Sequence, residues 1–211
     1  KAFSLTNLNE AIKNNRVDLV RDILANRERN NSAPSEATRA TSLHRAVRES
    51  KIEIVRCLIN SGTDVNRTST DDRTQETPLG TAVRVKNDNM VRVLLDHGAC
   101  PNMSDACSRT PLYQAVFYNQ YNQAEMLLEC GSNVNAADKQ GFTPLHISCK
   151  THGAHDQHKM ISLLLNHGAN PNRSSIARML PIDLAVQKRD HNTVQMLLEA
   201  GSVEGLNARL L

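Results

Sequence analysis

Two kinds of short apolar segment alternate along the chain. The first kind is seven residues long, places its apolar residues on one face of a helix and usually begins with Thr. In chain order its copies are TNLNEAI, TSLHRAV, TPLGTAV, TPLYQAV, TPLHISC and LPIDLAV. They begin at residues 6, 41, 77, 110, 143 and 180, which are 35, 36, 33, 33 and 37 residues apart. A nearly constant interval of this kind predicts a chain built from repeated structural units.

The second kind follows each first segment and predicts a second helix. In IEIVRCLINSG, for example, Ile54, Cys57 and Leu58 occupy the i, i+3 and i+4 positions of one helical face. In the first helix, Thr suits the N-cap and Pro one residue later suits the first turn. A glycine, which favours the left-handed conformation at a helix end, follows the second helix at Gly62, Gly98, Gly131, Gly168 and Gly201. The pattern therefore predicts six pairs of helices joined by short turns.

These recurring segments resemble the repeats of the ankyrin family over about residues 5–205. The resemblance implies an all-α fold: an ankyrin-repeat solenoid of stacked helix–turn–helix units with β-hairpin fingers. We expect a single domain over residues 1–205, with repeats starting near 6, 41, 77, 110, 143 and 180, and a tail or truncated cap over 206–211. No polar capping helix follows Gly201, so we expect either a longer protein or a tail that folds back through Leu206, Leu210 and Leu211.

Departures from the family pattern indicate where the repeats are irregular. The finger sequence Asp-x-x-Gly is intact only at Asp138–Gly141. The 36-residue interval predicts three extra residues in the finger around Thr68–Glu76, and the 37-residue interval predicts four in the turn within Cys149–His158. In the other fingers the glycine is replaced by Arg39, Gln75, Ser108 and Arg178.

The composition argues against several classes of function but adds little to the predicted fold. The chain has 25 basic and 22 acidic residues, a net charge of +3, which is too balanced for nucleic-acid binding by the whole surface. No apolar run approaches the roughly 20 residues of a membrane helix, and no secretory signal is visible within residues 1–211. Five cysteines without C-x-x-C spacing are typical of reduced thiols, so we expect a cytoplasmic or nuclear protein. No motif of a nucleophile elbow, phosphate loop or zinc protease occurs, and we expect neither a cofactor nor enzyme activity.

The resemblance also implies where a partner binds, because ankyrin fingers and inner-helix ends form a concave face. Five of the six aromatic residues lie between residues 113 and 142. An aromatic centre with a basic rim is typical of an interface hot spot and favours an acidic or polar segment with an apolar anchor. The alternative is local packing, with Phe142 covering its finger and Tyr118 lying flat on a neighbour. The predicted site consists of Arg84, Arg109, Phe117, Tyr118, Phe142 and Lys150.

Two further sets of residues have a chemical and a structural interpretation. Cys149, His152, His155 and His158 lie three residues apart, with Asp156 nearby, and include good zinc ligands. Ligands within one short loop do not easily form a tetrahedron, so we expect a solvated helical face and no metal site. The finger asparagines resemble family positions that asparaginyl hydroxylases modify, although we expect their ordinary role to be hydrogen bonding across the turn. They are Asn66, Asn102, Asn135 and Asn172.

Taken together, these features predict a non-catalytic protein–protein interaction module, an adaptor or scaffold that binds a protein or peptide segment on its concave face. One alternative is the substrate-recognition region of a ubiquitin ligase complex. Another is the ankyrin region of a larger channel, kinase or nuclease. Sequence outside residues 1–211 would distinguish these alternatives, because the fold by itself does not determine function.

Overall fold

A computed structural model describes residues 5–25, 34–69, 74–150 and 155–201. These residues form twelve helices and no β-strand. None of the helices in these ranges combines the length and the apolar character that a membrane crossing requires. The helices are α1 (Leu5–Lys13), α2 (Val17–Ala25), α3 (Glu36–Arg48), α4 (Ile52–Asn60), α5 (Pro78–Arg84), α6 (Asp88–Asp96), α7 (Pro111–Phe117), α8 (Tyr121–Glu129), α9 (Pro144–Lys150), α10 (His155–Asn166), α11 (Pro181–Lys188) and α12 (His191–Glu199).

The helices alternate between an inner and an outer member of each repeat, which confirms the predicted helix pairs. The chain divides into two compact units, Lys1–Ala106 and Cys107–Leu211, here called unit 1 and unit 2. In unit 1, α3 packs against α1, α4 and α5, and in unit 2, α9 packs against α7, α10 and α11. Each helix pair contributes leucine or isoleucine side chains to a core, and each such side chain stabilises the fold by about 1.5–3 kcal/mol. Fully buried examples are Leu8, Leu43, Leu58, Leu112, Leu127 and Leu145.

Threonine and proline together begin the short inner helices. The Thr77 hydroxyl accepts a hydrogen bond from the Gly80 N–H at 3.1 Å, and Pro78 occupies the first turn. Thr110 caps α7 in the same way through the Tyr113 N–H at 3.2 Å. These bonds satisfy N–H groups that have no partner within the helix.

The second repeat differs from the prediction, because α3 is thirteen residues long and begins well before Thr41. Ser35 is its N-cap and accepts a hydrogen bond from the Thr38 N–H at 3.2 Å. The predicted finger ending at Arg39 is therefore wrong, since Arg39 lies within the helix and is ion-paired with Glu36. Proline disfavours a helical conformation in the residue before it, and this repeat has Ser42 where the third to sixth repeats have proline.

The insertion in the fifth repeat lengthens an outer helix. Helix α10 has twelve residues, whereas α6, α8 and α12 each have nine, and the three additional residues lie at its start. The Gln157 side chain joins this extension to the inner helix, because its amide donates to the Ser148 carbonyl at 2.7 Å. The prediction that all four inserted residues lie in the turn is therefore wrong. The insertion near Thr68–Glu76 falls partly on residues 70–73, outside the described residues.

The fingers are hairpin-like turns held by backbone hydrogen bonds. One bond joins the arms of each of three fingers: Ser69 N–H to Glu76 O, Asp138 N–H to Phe142 O, and Ser175 N–H to Met179 O, at 2.9, 3.0 and 2.9 Å. Gly141 has the left-handed conformation, and so do the residues that replace glycine at the same finger position, Gln75, Ser108 and Arg178. Successive fingers are joined by Ala106 N–H to Thr74 O, Lys139 N–H to Cys107 O, and Ile176 N–H to Gln140 O.

A finger asparagine binds the exit turn of the next outer helix. The Asn135 amide donates to the Gly168 carbonyl at 3.0 Å, and its side-chain oxygen accepts from the Asn170 N–H at 2.8 Å. Asn66 makes the equivalent pair with the Gly98 carbonyl and the Cys100 N–H, at 3.2 and 2.7 Å. We call this arrangement the asparagine bridge. It links consecutive repeats, which the expected hydrogen bonding across the turn did not specify.

Removing one asparagine bridge is expected to destabilise the protein. Asn135→Ala leaves two backbone groups of the next repeat without their partner, so we expect the free energy of unfolding to fall by about 1–3 kcal/mol. Urea denaturation followed by circular dichroism measures the change. The matched control is Asn192→Ala on the exposed face of α12, expected to change stability by less than about 0.5 kcal/mol. Equal losses in the two variants would contradict the role of the bridge.

Gly141 is expected to be less replaceable than Gly168, although both have a φ angle of +81°. A Cβ atom at position 141 would lie 2.8 Å from the Ile176 nitrogen, a backbone atom of the next finger, whereas one at position 168 meets no atom within 4 Å. Gly168→Ala should therefore lower the free energy of unfolding only by the cost of holding an alanine in the left-handed conformation, about 1–2 kcal/mol. Gly141→Ala should cost clearly more in the same urea titration, and an equal cost would show that the finger contact is not tight.

Candidate functional site

The most exposed aromatic side chains lie together at the end of α7 in unit 2. Phe117 is the last residue of this helix and is 53% exposed, and Tyr118, its C-cap, is 36% exposed. Their rings meet edge to face, with centroids 5.2 Å apart and an interplanar angle of 81°. All the preceding residues of α7 are buried. The helix is therefore anchored in the core while its final residues project two aromatic rings to the surface.

Phe142 combines a packing contact with a partly exposed edge. Its ring lies edge to face on His146, with centroids 5.5 Å apart, and the Lys150 ammonium lies 5.5 Å from its centroid. A cation at this distance from an aromatic face is attracted by about 0.5–1 kcal/mol at an exposed site. The contact holds the amine of Lys150 beside the ring at the surface end of α9. Phe142 thus positions a charge as well as packing against His146.

The His146 ring contacts the Phe142 ring, and its hydrogen bonds join two repeats. Its Nδ1 accepts from the Thr143 N–H at 3.1 Å, so Nε2 carries the proton and donates to the Met179 carbonyl at 3.0 Å. Burial lowers the pKa of this imidazole, because the charged form loses its hydration. The corresponding residue in the fourth repeat is Tyr113, whose hydroxyl donates to Asp138 Oδ2 at 2.8 Å. The position therefore reaches the next finger with either side chain.

The two arginines of the predicted site differ in their surroundings. Arg109 is half-buried in unit 2, directly before the N-cap of α7. Arg84 belongs to unit 1, where its Nε donates to the Glu76 carboxylate at 3.1 Å. Glu76 is buried and also accepts from the Thr81 hydroxyl at 3.0 Å. Sequence reasoning missed this pairing, which offsets much of the charge of Arg84, because the two residues meet only through the turn into α5.

Within unit 2, the structure brings the predicted residues into two contacting pairs, Phe117 with Tyr118 and Phe142 with Lys150. The cysteine and histidine candidates are arranged differently. Cys149 is buried, and burial raises the pKa of its thiol to about 12, which disfavours the thiolate that binds metals. His158 lies 3.3 Å from both carboxylate oxygens of Asp190, and His152 falls outside the described residues. The described residues contain no group of three ligands placed to hold a metal ion.

Comparison with protein-family models identifies the repeats independently. A model described as Ankyrin repeats (3 copies) matches residues 68–138 and 112–207, which together span more than half of the chain. A second model, described as Ankyrin repeat, matches residues 39–70. No curated protein matched the chain.

Lowering the pH is expected to reduce the free energy of unfolding through protonation of His146. Because folding lowers its pKa, the unfolded chain binds a proton more readily, and the free energy of unfolding should fall as pH drops from 7 through the ordinary value of about 6.5. The stability advantage of the wild type over His146→Gln should therefore shrink between pH 7 and pH 5 in urea titrations. His167→Gln, at an exposed position after α10, is the matched control. An advantage that does not change with pH would contradict this role.

Proposed function

This chain belongs to the ankyrin-repeat family, and we propose that it is a non-catalytic adaptor or scaffold that binds a segment of another protein. Ankyrin repeats serve in general as protein–protein interaction modules. We place the contact surface in unit 2, on the fingers and the exposed ends of the inner helices. Its centre is the pair Phe117 and Tyr118, and Arg109, Phe142 and Lys150 lie on neighbouring elements of the same unit.

The observation that carries this proposal is the exposed aromatic pair. Leaving Phe117 half in water forfeits part of the roughly 1.5–3 kcal/mol that its full burial would contribute. Large rings at a rigid helix end lose little conformational entropy on binding, and such rings dominate interface hot spots. The ammonium of Lys150, held beside Phe142, adds a cation on α9, the inner helix that packs against α7. This combination favours an acidic or polar segment with one apolar anchor residue.

We also propose a cytoplasmic or nuclear location and no enzymatic role. All five cysteines are free thiols, and Cys107 and Cys130 are exposed, as is common where thiols stay reduced. The non-catalytic part of the proposal rests on the general role of the family. It is also supported at Cys149, whose raised pKa keeps this buried thiol protonated and therefore a weak nucleophile at neutral pH.

Removing both exposed rings is expected to abolish partner binding. The double variant Phe117→Ala/Tyr118→Ala deletes the proposed apolar centre, and hot-spot residues of this kind contribute about 2 kcal/mol or more each, so retention of a specific partner should fall at least about tenfold. Quantitative mass spectrometry of proteins retained by the immobilised wild type and variant measures the change. Circular dichroism should show the same helix content in both.

The matched control is Leu198→Ala, which removes a similarly exposed apolar side chain from outer helix α12. We expect it to retain the partners of the wild type. If the aromatic double variant retains them equally well, the proposed centre is wrong. If Leu198→Ala loses them instead, the contact surface lies on the outer helices.

A further inference from the structure

Charge is strongly segregated within unit 2. Of the seven carboxylate residues in the described part of unit 2, four lie in the outer helices α8, α10 and α12, together with a single cation, Lys159. The other seven cations of that described part lie outside these helices, in the fingers, the inner helices and the turns. Those seven residues are Arg109, Lys139, Lys150, Arg173, Arg178, Lys188 and Arg189. The part of unit 2 that carries the exposed aromatic pair is therefore cationic, and its outer-helix part is anionic.

The carboxylates that lie among these cations are occupied by structural hydrogen bonds. Asp138 accepts from the Tyr113 hydroxyl and from the Phe142 N–H, at 2.8 and 2.9 Å. Asp183 accepts from the Leu180 N–H at 2.7 Å at the start of α11. Asp190 accepts from the N–H and the hydroxyl of Thr193 at the start of α12. These carboxylates organise the backbone, and an acidic ligand would meet a surface whose exposed charge is mainly positive.

A row of side chains crosses this surface. Helices α7, α9 and α11 pack side by side in that order, each starts at a proline, and each ends at the same edge of unit 2. Counted from the proline, Phe117 and Lys150 are the seventh residues of α7 and α9, and Lys188 is the eighth residue of α11; all three are exposed. Packed helices lie about 8–10 Å apart, so the carboxyl ends of neighbouring helices in this row are separated by about that distance. An extended peptide advances about 10 Å in three residues.

We infer that unit 2 recognises an extended acidic segment in which one apolar residue is followed, in one direction along the partner, by acidic residues three and six positions away. The apolar residue contacts Phe117 and Tyr118, and the two carboxylates face Lys150 and Lys188. This inference rests on the proposed function and adds the composition and register of the partner. One member of the row is aromatic and two are cationic, which favours such a segment over a uniformly charged polyanion.

Selection from a random peptide library tests the inference directly. Peptides about twelve residues long, displayed on phage, are selected on the full chain, since such a peptide is long enough to span the row. The expected result is a shared pattern of one apolar position with Asp or Glu at the third and sixth positions beyond it. Fluorescence anisotropy with a synthetic peptide of that pattern then measures affinity, and shifting both acidic residues by one position should weaken it.

A charge reversal tests whether Lys150 contacts the carboxylate three positions beyond the apolar residue of the peptide. Lys150→Glu should weaken binding of the selected peptide by about threefold to tenfold, because it replaces one exposed ion pair by a repulsion. A peptide with Lys at the third position beyond the apolar residue should recover the loss. The matched control Lys159→Glu reverses the single cation of the outer helices of unit 2 and should leave the affinity unchanged. Circular dichroism of both variants verifies the fold.

The outcomes separate the inference from the proposed function. If peptides are enriched and depend on Phe117 and Tyr118 but show no three-residue register, the inference is wrong and the proposed function stands. If no peptide family binds, or if binding survives Phe117→Ala/Tyr118→Ala, the proposed function fails as well. If a single-stranded oligonucleotide displaces the selected peptide and binds the full chain more tightly, the surface recognises a polyanion and the inference is overturned.

Discussion

The asparagine bridge is the interaction on which the rest of the structure depends. An outer helix ends in a turn whose carbonyl and N–H groups have no partner within the helix, and the preceding repeat supplies one amide that satisfies both kinds of group. Asn66 does this in unit 1 and Asn135 in unit 2, where Asn172 also donates to the Gly201 carbonyl at 3.0 Å. A repeat stabilised through its neighbour cannot shift independently of it, because two directional bonds and a shared apolar core would break together.

This coupling fixes where each finger lies, and the fingers in turn fix the ends of the inner helices. His146 and Tyr113 extend the coupling, because each reaches from an inner helix to the next finger. Helices of only seven residues are unstable alone, so α7 exists because tertiary contacts hold it. The same contacts hold its last residue, Phe117, at the surface. A rigid scaffold of this kind presents side chains in fixed positions, which lowers the entropic cost of binding a partner.

Much of the fold was predictable because its signals are local. The Thr-Pro start of α5 and α7 and the helical spacing of Ile54 and Leu58 each depend on residues within one or two turns. The predictions were wrong where the local structure depends on a contact distant in sequence or on the absence of a proline. Because Ser42 replaces proline, α3 extends upstream. Inserted residues of the fifth repeat extend α10, because the Gln157 amide donates a hydrogen bond to a carbonyl on α9. Neither outcome follows from the repeat pattern.

The repeat length and the pairing of helices follow from the sequence alone, because periodicity and capping are properties of neighbouring residues. The concentration of aromatic residues in the fourth and fifth repeats is likewise a property of the sequence. Tertiary packing determines which contacts the side chains make. It buried Glu76 against Arg84 and placed Phe142 in contact with His146 and Lys150. It also directed the finger asparagines Asn66, Asn135 and Asn172 to the following repeat. These outcomes depend on atoms about thirty residues apart or across a turn, whose distances are set only when helices pack and polar groups compete for partners.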